Sequence, residues 1–265
     1  MPQVPAPVGV TGLGGPAAAL ATGGLYDDWS GCTCAVLVSG AVECWGQNTL
    51  GLGPDPAATV IAPTAVPGLT DATAVTVGQA ACALRGDGTV ACWGLGALGQ
   101  PGPNASSYSA TPVAVPGIVG AVAVAAGSFH ACALLGSGEV SCWGLNAEGS
   151  LGDGTSADSP TPVMVTGVNG AVALSAAGFR TCALLVDGTV RCWGDPQALA
   201  PAAVPGLSSA ASISVSANAA CAVVSGGRIK CWGQDDAGQL GTGSLPDPGS
   251  PSSQVTTPVD VVAIP

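Results

Sequence analysis

One phrase, written five times, constrains this chain more than any other feature. Residues 132–144 read CALLGSGEVSCWG, with near-copies at 34–46 (CAVLVSGAVECWG), 82–94 (CALRGDGTVACWG), 182–194 (CALLVDGTVRCWG) and 221–233 (CAVVSGGRIKCWG). The first cysteines are 48, 50, 50 and 39 residues apart. A period of that size marks architectures in which each repeat is one supersecondary unit that buries its faces against its neighbours. Each copy follows a Pro-Val segment ending in a turn: PVGVTGL (7–13), PTAVPGL (63–69), PVAVPGI (112–118), PVMVTGV (162–168) and PAAVPGL (201–207). Between the two lies a small-residue apolar segment, such as ATAVTVG (72–78) or AVAVAAG (121–127). Each unit therefore offers four short strands, and no stretch carries the 3.6-residue apolar period of a helix. The expected fold class is all-β: a β-propeller of about five four-stranded blades, with residues 1–265 as a single propeller domain. The terminal TPVDVVAIP (257–265) restarts the Pro-Val strand of a sixth unit and then stops. It either closes the ring beside the first blade or belongs to a longer propeller.

The phrase itself predicts a hairpin. A three-residue loop ending in a left-handed glycine places Gly40, Gly88, Gly138, Gly188 and Gly227 at the bulge position. Counting back from loop 136–138, Leu134 faces Val140, Ala133 faces Ser141 and Cys132 faces Cys142. Directly opposed residues on neighbouring strands have Cβ atoms about 4.5–5.5 Å apart, close to what a disulfide spans. The expected bonds are Cys34–Cys44, Cys82–Cys92, Cys132–Cys142, Cys182–Cys192 and Cys221–Cys231. Alternation puts Cys132, Leu134, Val140 and Cys142 on one face and Ala133, Leu135 and Trp143 on the other. Two apolar faces suit a blade packed between two others, with Trp45, Trp93, Trp143, Trp193 and Trp232 as one wedge per blade.

Composition narrows the function. Only 8% of residues are charged, against about 25% in typical domains. The net charge is −11, and the basic residues are only Arg85, Arg180, Arg191, Arg228 and Lys230. Nucleic-acid binding rests largely on Lys and Arg against phosphate, so it is not expected here. The apolar runs fall short of the roughly 20 residues of a membrane-spanning helix. Aromatic residues make up 4% of the chain, too few for the aromatic girdles of a membrane barrel. The opening MPQVPAPVGV has neither a basic nor an apolar leader region, so no signal peptide is expected in the chain as written.

The stretches GSFHACALLGSGEVSCWGLNAEGSLGDGT (127–155) and GQDDAGQLGTG (233–243) resemble the regulator of chromosome condensation repeat. The family pattern is G-x-x-H-x-C-A-L, then D-G-x-V-x-C-W-G-x-N-x-x-G-x-L-G-D-G-T. That resemblance implies a β-propeller, seven-bladed in the family, and the paired cysteines are similar to its bacterial exported branch. Two departures stand out. There are five repeats, and the basic tail and charged surface of chromatin-binding members are missing, so their nuclear activities are not expected to carry over.

Candidate chemistry is sparse. Eleven cysteines resolve into five pairs plus Cys32. Zinc sites favour short C-x2–4-C spacings with further ligands nearby, and none exists, so a disulfide framework and an oxidising compartment are expected. Cys32 remains as a thiol, a variant strand residue or an intermolecular partner. His130 is the only histidine. It fills a repeated position held elsewhere by Ala80, Arg180 or Ala219, which marks it as structural. The acids Asp27-Asp28, Asp153 to Asp158 and Asp235-Asp236 are expected to be turn residues, since DGTSADS (153–159) lacks the spacing of a calcium loop. No cofactor or metal is expected. The segments after each CWG (46–65, 94–114, 144–164, 194–203 and 233–260) vary most, and loops on a rigid scaffold are where binding resides.

The expected function is a non-enzymatic, extracytoplasmic binding module: secreted, periplasmic or on the cell surface. It presents variable loops to a protein or cell-surface polymer. Family relatives that inhibit enzymes make inhibition one form of this reading. The alternative is a carboxylate-based hydrolase or lyase at one end of the propeller. It is disfavoured by the shortage of His, Lys, Arg and Tyr for acid–base work. A buried carboxylate pair at the mouth of the channel with strongly shifted pKa would favour the enzyme, and an apolar or aromatic exposed patch on one loop face the binder.

Overall fold

The computed structural model describes residues 8–24, 31–47, 59–94, 109–194, 198–243 and 254–262. Within them, four-stranded antiparallel sheets follow one another along the chain, each in sequential strand order. The first blade is β1 (Ala17–Gly24), β2 (Gly31–Leu37), β3 (Val42–Gln47) and β4 (Thr59–Ala65). The second is β5 (Ala72–Val77), β6 (Ala80–Arg85), β7 (Val90–Gly94) and β8 (Ser109–Ala114). The third is β9 (Ala121–Ala126), β10 (His130–Leu135), β11 (Val140–Gly144) and β12 (Ser159–Met164). The fourth is β13 (Ala171–Ala177), β14 (Arg180–Leu185), β15 (Val190–Trp193) and the short β16 (Ala202–Ala203). The fifth is β17 (Ala210–Val215), β18 (Ala219–Val224), β19 (Arg228–Gln234) and β20 (Gln254–Asp260). The strands β1, β5, β9, β13 and β17 pack side by side in that order, so the small-residue segment of each repeat forms the inner edge of its blade. The architecture is a β-propeller.

The Pro-Val segments are grouped differently from the order of the repeat. Each one after the first is the outer strand of the preceding blade, because it follows the second hairpin strand and pairs back on it: Cys142 opposes Val163, and Cys92 opposes Val113. The turn after it, with Gly68, Gly117, Gly167 and Gly206 at positive φ, hands the chain to the next inner strand. This regrouping corrects the expectation for 257–265. β20 lies on the hairpin of the fifth blade, with Val259 opposite Cys231. Over its described residues the segment therefore completes the fifth blade and does not begin a sixth unit, and residues 263–265 lie outside the described residues.

Within each hairpin the loop sets the register. Gly138 has φ +83°, its N–H bonds to the Leu135 carbonyl at 2.9 Å, and the Leu135 N–H bonds to the Glu139 carbonyl at 2.9 Å. With 135 and 139 a hydrogen-bonded pair, 132 and 142 fall on a non-hydrogen-bonded pair, where opposed side chains approach most closely. Cys132 and Cys142 oppose each other with Cα atoms 4.0 Å apart and are joined by a disulfide. Bonds join Cys34–Cys44, Cys82–Cys92, Cys182–Cys192 and Cys221–Cys231 with Cα separations of 4.0–4.1 Å. Cys32 lies outside these bonds and is buried.

Blades stack by unlike faces. Cys82, Leu84, Val90 and Cys92 of the second blade pack against Ala131, Ala133 and Trp143 of the third. The third blade meets the fourth through Cys132, Leu134, Val140 and Cys142 against Ala183 and Trp193. At each junction between successive blades a cysteine face therefore receives a tryptophan face. Burying a Trp removes about 200 Å² from water, roughly 5 kcal/mol as an upper estimate. The inner strands converge so tightly at one end that a Cβ on Gly78 would overlap the Gly127 carbonyl, and one on Gly127 the Gly178 carbonyl.

Candidate functional site: the loop end of the propeller

In a four-stranded antiparallel blade, the connection from first to second strand and the one from third to fourth emerge at the same end. The CWG loops therefore leave the blades at the end that carries the short inner connections at 78–79, 127–129, 178–179 and 216–218; their residues 48–58, 95–108, 195–197 and 244–253 lie outside the described residues. The hairpin tips lie at the opposite end. There the exposed carboxylates of Asp87 and Asp187 accept from the N–H and hydroxyl of Thr89 and Thr189, which lowers their pKa.

At the loop end, Phe129 and Phe179 stack with ring centroids 5.6 Å apart and planes at 20°. Phe179 is 42% exposed, and Phe129 is half-buried. Both follow directly on residues, Ser128 and Gly178, that line a cavity of about 210 Å³ to which all five blades contribute, Thr22 and Val215 included. The stack was not singled out in the sequence. Its only signal is that GSFH (127–130) and GFR (178–180) put a phenylalanine at the same place in neighbouring repeats.

The third blade's CWG loop is organised by Asn146, which is fully buried. Its Nδ2 donates to Asp153 Oδ1 (3.2 Å) and to the carbonyls of Thr155 (3.0 Å) and Ala157 (3.1 Å). Its Oδ1 accepts from Leu151 N–H at 2.8 Å, and Asp158 accepts from its backbone N–H at 2.7 Å. This turn drives Leu151 into the junction with the fourth blade, where Ser150 carbonyl accepts from Trp193 Nε1 at 3.0 Å. In the fifth blade Asp235 takes the same place, accepting from Leu240 N–H at 3.0 Å, and Leu240 is likewise buried. The acids Asp153, Asp158 and Asp235 therefore brace loops; Asp27 and Asp28 lie outside the described residues. Where the fourth loop is cut short, a cavity of about 250 Å³ opens between the fourth and fifth blades, bordered by Arg180, Pro205, Trp232 and Thr256.

His130 is sealed between the third and fourth blades, with Nε2 2.7 Å from Thr181 Oγ1. Burial pushes its pKa down to about 4. Trp93, Trp143, Trp193 and Trp232 are buried at blade junctions, whereas Trp45 is only partly buried. Among the described residues no group of His, Cys, Asp and Glu is placed to hold a metal ion, and no helix is long and apolar enough to cross a membrane. Arg85 pairs with Asp71 at 3.0 Å and Lys230 with Asp260 at 3.1 Å, so these bases form no patch.

Two family models, both described as regulator of chromosome condensation (RCC1) repeat, match the chain, one at residues 121–150 and 210–239 and the other at 137–185. No curated protein matches it in sequence. Among solved structures, human WBSCR16 is similar with a TM-score of 0.77 at 20% identity, over 94% of this chain and 68% of that one. Prp20p of Saccharomyces cerevisiae gives a TM-score of 0.72 at 18% identity, over 88% of this chain and 61% of that one. The ectodomain of the Physcomitrella patens receptor kinase CR4 gives 0.56 at 22% identity, over 85% and 56%. The chain thus spans about two thirds or less of each. RCC1 repeats are thus matched over residues 121–185 and 210–239, and the chain shares the β-propeller fold of these structures.

Proposed function

We propose that the chain is a single-domain, non-catalytic recognition module that works in an oxidising, extracytoplasmic compartment and binds a protein through its loop end. The observation that carries this reading is the Phe129–Phe179 stack at the loop end, next in the chain to Ser128 and Gly178 of the inner cavity. An aromatic pair on rigid backbone, with Phe179 exposed and Phe129 half-buried, supplies contact area at little ordering cost, the property that makes aromatics the anchors of interfaces. Braced loops beside it, held by Asn146 and Asp235, limit what must be ordered on binding. Five disulfides support the compartment. Prp20p, a structural neighbour, is described with binding to Gsp1p and histones, which supports protein binding as a use of this scaffold without naming a partner here. Inhibition of an enzyme is one form the role can take. The hydrolase or lyase reading has no buried carboxylate pair to rest on among the described residues.

The test is affinity capture from secreted and surface fractions with the oxidised protein and its Phe179→Ser variant. A protein retained by the parent and lost at least tenfold by the variant, with both equally folded, supports the reading. Equal retention by the two removes the loop end from recognition. Capture of a polysaccharide instead of a protein, or turnover in a glycan screen, overturns the partner class or the non-catalytic assignment.

A further inference from the structure

A leucine from the third CWG loop seals the junction that follows it. Leu151 is fully buried beside Trp193, and the carbonyl before it accepts from the Trp193 indole at 3.0 Å. Leu240 of the fifth loop is fully buried as well. The fourth loop, 194–203 against 144–164 in the third, has no room for such a turn. Its one leucine, Leu199, packs instead on Gly149 of the third loop, where a Cβ would stand 3.1 Å from Leu199 Cδ2. The junction of the fourth and fifth blades therefore keeps its cavity of about 250 Å³, walled by Trp193, Val204, Pro205, Trp232 and Val255. Trp232 is only 6% exposed, yet its indole N–H donates to no described residue, whereas that of Trp193 has the Ser150 carbonyl. Arg180, next in the chain to Phe179, is the one charged residue among those described at the border.

Taking the loop end as the recognition surface, on which this step rests, we propose that the cavity is its anchor pocket. The occupant is a leucine-bearing turn of a partner protein, with an acidic residue close to the leucine. The third blade sets what that turn must bring: an aliphatic side chain against the tryptophan, and the carbonyl before it on the indole N–H. An apolar cavity of about 150 Å³ already holds a group the size of benzene. One of about 250 Å³ takes a leucine side chain together with flanking backbone. Filling it removes apolar wall from water and gives the Trp232 donor its acceptor. The guanidinium at the rim of a chain of net charge −11 favours a carboxylate there and disfavours a basic segment. Because Arg180 follows Phe179 directly, the pocket continues the surface that the phenylalanine stack begins.

The probe is a synthetic peptide of residues 145–159 of this chain. It carries Leu151 and Glu148, and all the partners with which Asn146 braces the turn lie within it. The tryptophan indole protons of the oxidised protein are followed by NMR as the peptide is added to about 1 mM. The Trp232 proton is expected to shift and to exchange at least fivefold more slowly, with that of Trp193 unchanged. The peptide carrying Leu151→Asp is expected to leave it unmoved. A variant with 145–159 in place of 195–198 fills the pocket from its own chain and is expected not to respond; Thr256→Phe at the cavity border is a milder plug should the graft not fold. A silent Trp232, or an equal response to the two peptides, overturns the proposal. So does a Trp232 proton that exchanges as slowly as that of Trp193 in the protein alone, since the cavity is then closed. Isocaproate, a leucine side chain on a bare carboxylate, tests the other occupant: a response at a tenfold lower concentration than the peptide makes the pocket one for a small acid and not for a protein. In affinity capture, a partner lost on Phe179→Ser and on filling the pocket is the expected result. A partner lost on Phe179→Ser but fully retained by the filled variants keeps the loop end in recognition and removes the pocket from it.

Discussion

His130 Nε2 lies 2.7 Å from Thr181 Oγ1 across the junction of the third and fourth blades, and its Nδ1 is buried without a partner. An imidazolium must donate from both ring nitrogens, so this site accepts only the neutral ring. That is why burial holds its pKa at about 4, below the 6.5 of the unfolded chain. Between those values the unfolded state binds more protons. The contribution to stability is therefore fully present above about pH 6.5 and is lost as pH falls toward 4. Its full size is on the order of 3 kcal/mol. Urea unfolding of the protein and of His130→Asn at pH 7 and pH 4.5 isolates it, since carboxylate titrations cancel in the difference. The expected result is that the parent loses about 2–3 kcal/mol more than the variant over that range. Equal losses would show that His130 takes up a proton in the folded protein.

The disulfides should not open together. Both cysteines of the first three bonds are fully buried, whereas Cys192 and Cys221 are partly exposed, beside the shortened fourth loop and on the face of the fifth blade that carries the exposed Val223 and Ile229. Reductant without denaturant, followed by alkylation and mass spectrometry, is expected to open Cys182–Cys192 and Cys221–Cys231 first. Uniform opening would mean that reduction requires global unfolding. Replacing Cys132 and Cys142 by Ala is expected to cost about 2–3 kcal/mol, the chain-entropy value for so short a loop.

Gly78 has an ordinary φ, so its importance comes from proximity. A methyl there meets the Gly127 carbonyl, which is backbone and cannot swing aside. Gly78→Ala is expected to push the second and third blades apart at the inner edge and lower the thermal midpoint. At Gly117, where no atom lies within reach, only the strain of positive φ is at stake, so Ala there should cost about 1 kcal/mol. Differential scanning calorimetry of the two variants separates crowding from strain, and equal shifts would refute the close-approach account.

The repeat made the blade and its hairpin register legible, because Gly138 and the Cys132–Cys142 spacing are local and a loop of fixed length leaves one pairing. Which blade owns each Pro-Val strand was not legible. A fourth strand can pair with the hairpin before it or lie beside the inner strand after it, and only tertiary packing decides. The functional surface was half legible. The CWG loops were marked by their variability, but the Phe129–Phe179 stack depends on two blades meeting at a particular spacing, which no single repeat encodes. The shortened fourth loop was visible as a length, while the cavity beside Trp232 follows only from seeing what Leu151 fills in the neighbouring junction.

Leu151 and Asn146 allow that last relationship to be tested. Asn146 Oδ1 holds the Leu151 N–H, Leu151 fills the space beside Trp193, and the neighbouring Ser150 carbonyl caps the Trp193 indole. Leu151→Ala removes a fully buried side chain, a change that costs about 2–5 kcal/mol where a cavity remains. A loop at the surface can relax into the space, so the lower end is expected. Asn146→Ala leaves the carbonyls of Thr155 and Ala157 and the Leu151 N–H without their partner, and the turn has to open to hydrate them. The Trp193 indole proton reports both events by NMR exchange. It should exchange at least tenfold faster in either variant, with the indole protons of Trp93 and Trp143 unchanged. If Asn146→Ala leaves the Trp193 proton as slow as in the parent, the loop is held by Leu151 alone and the asparagine serves only its own turn.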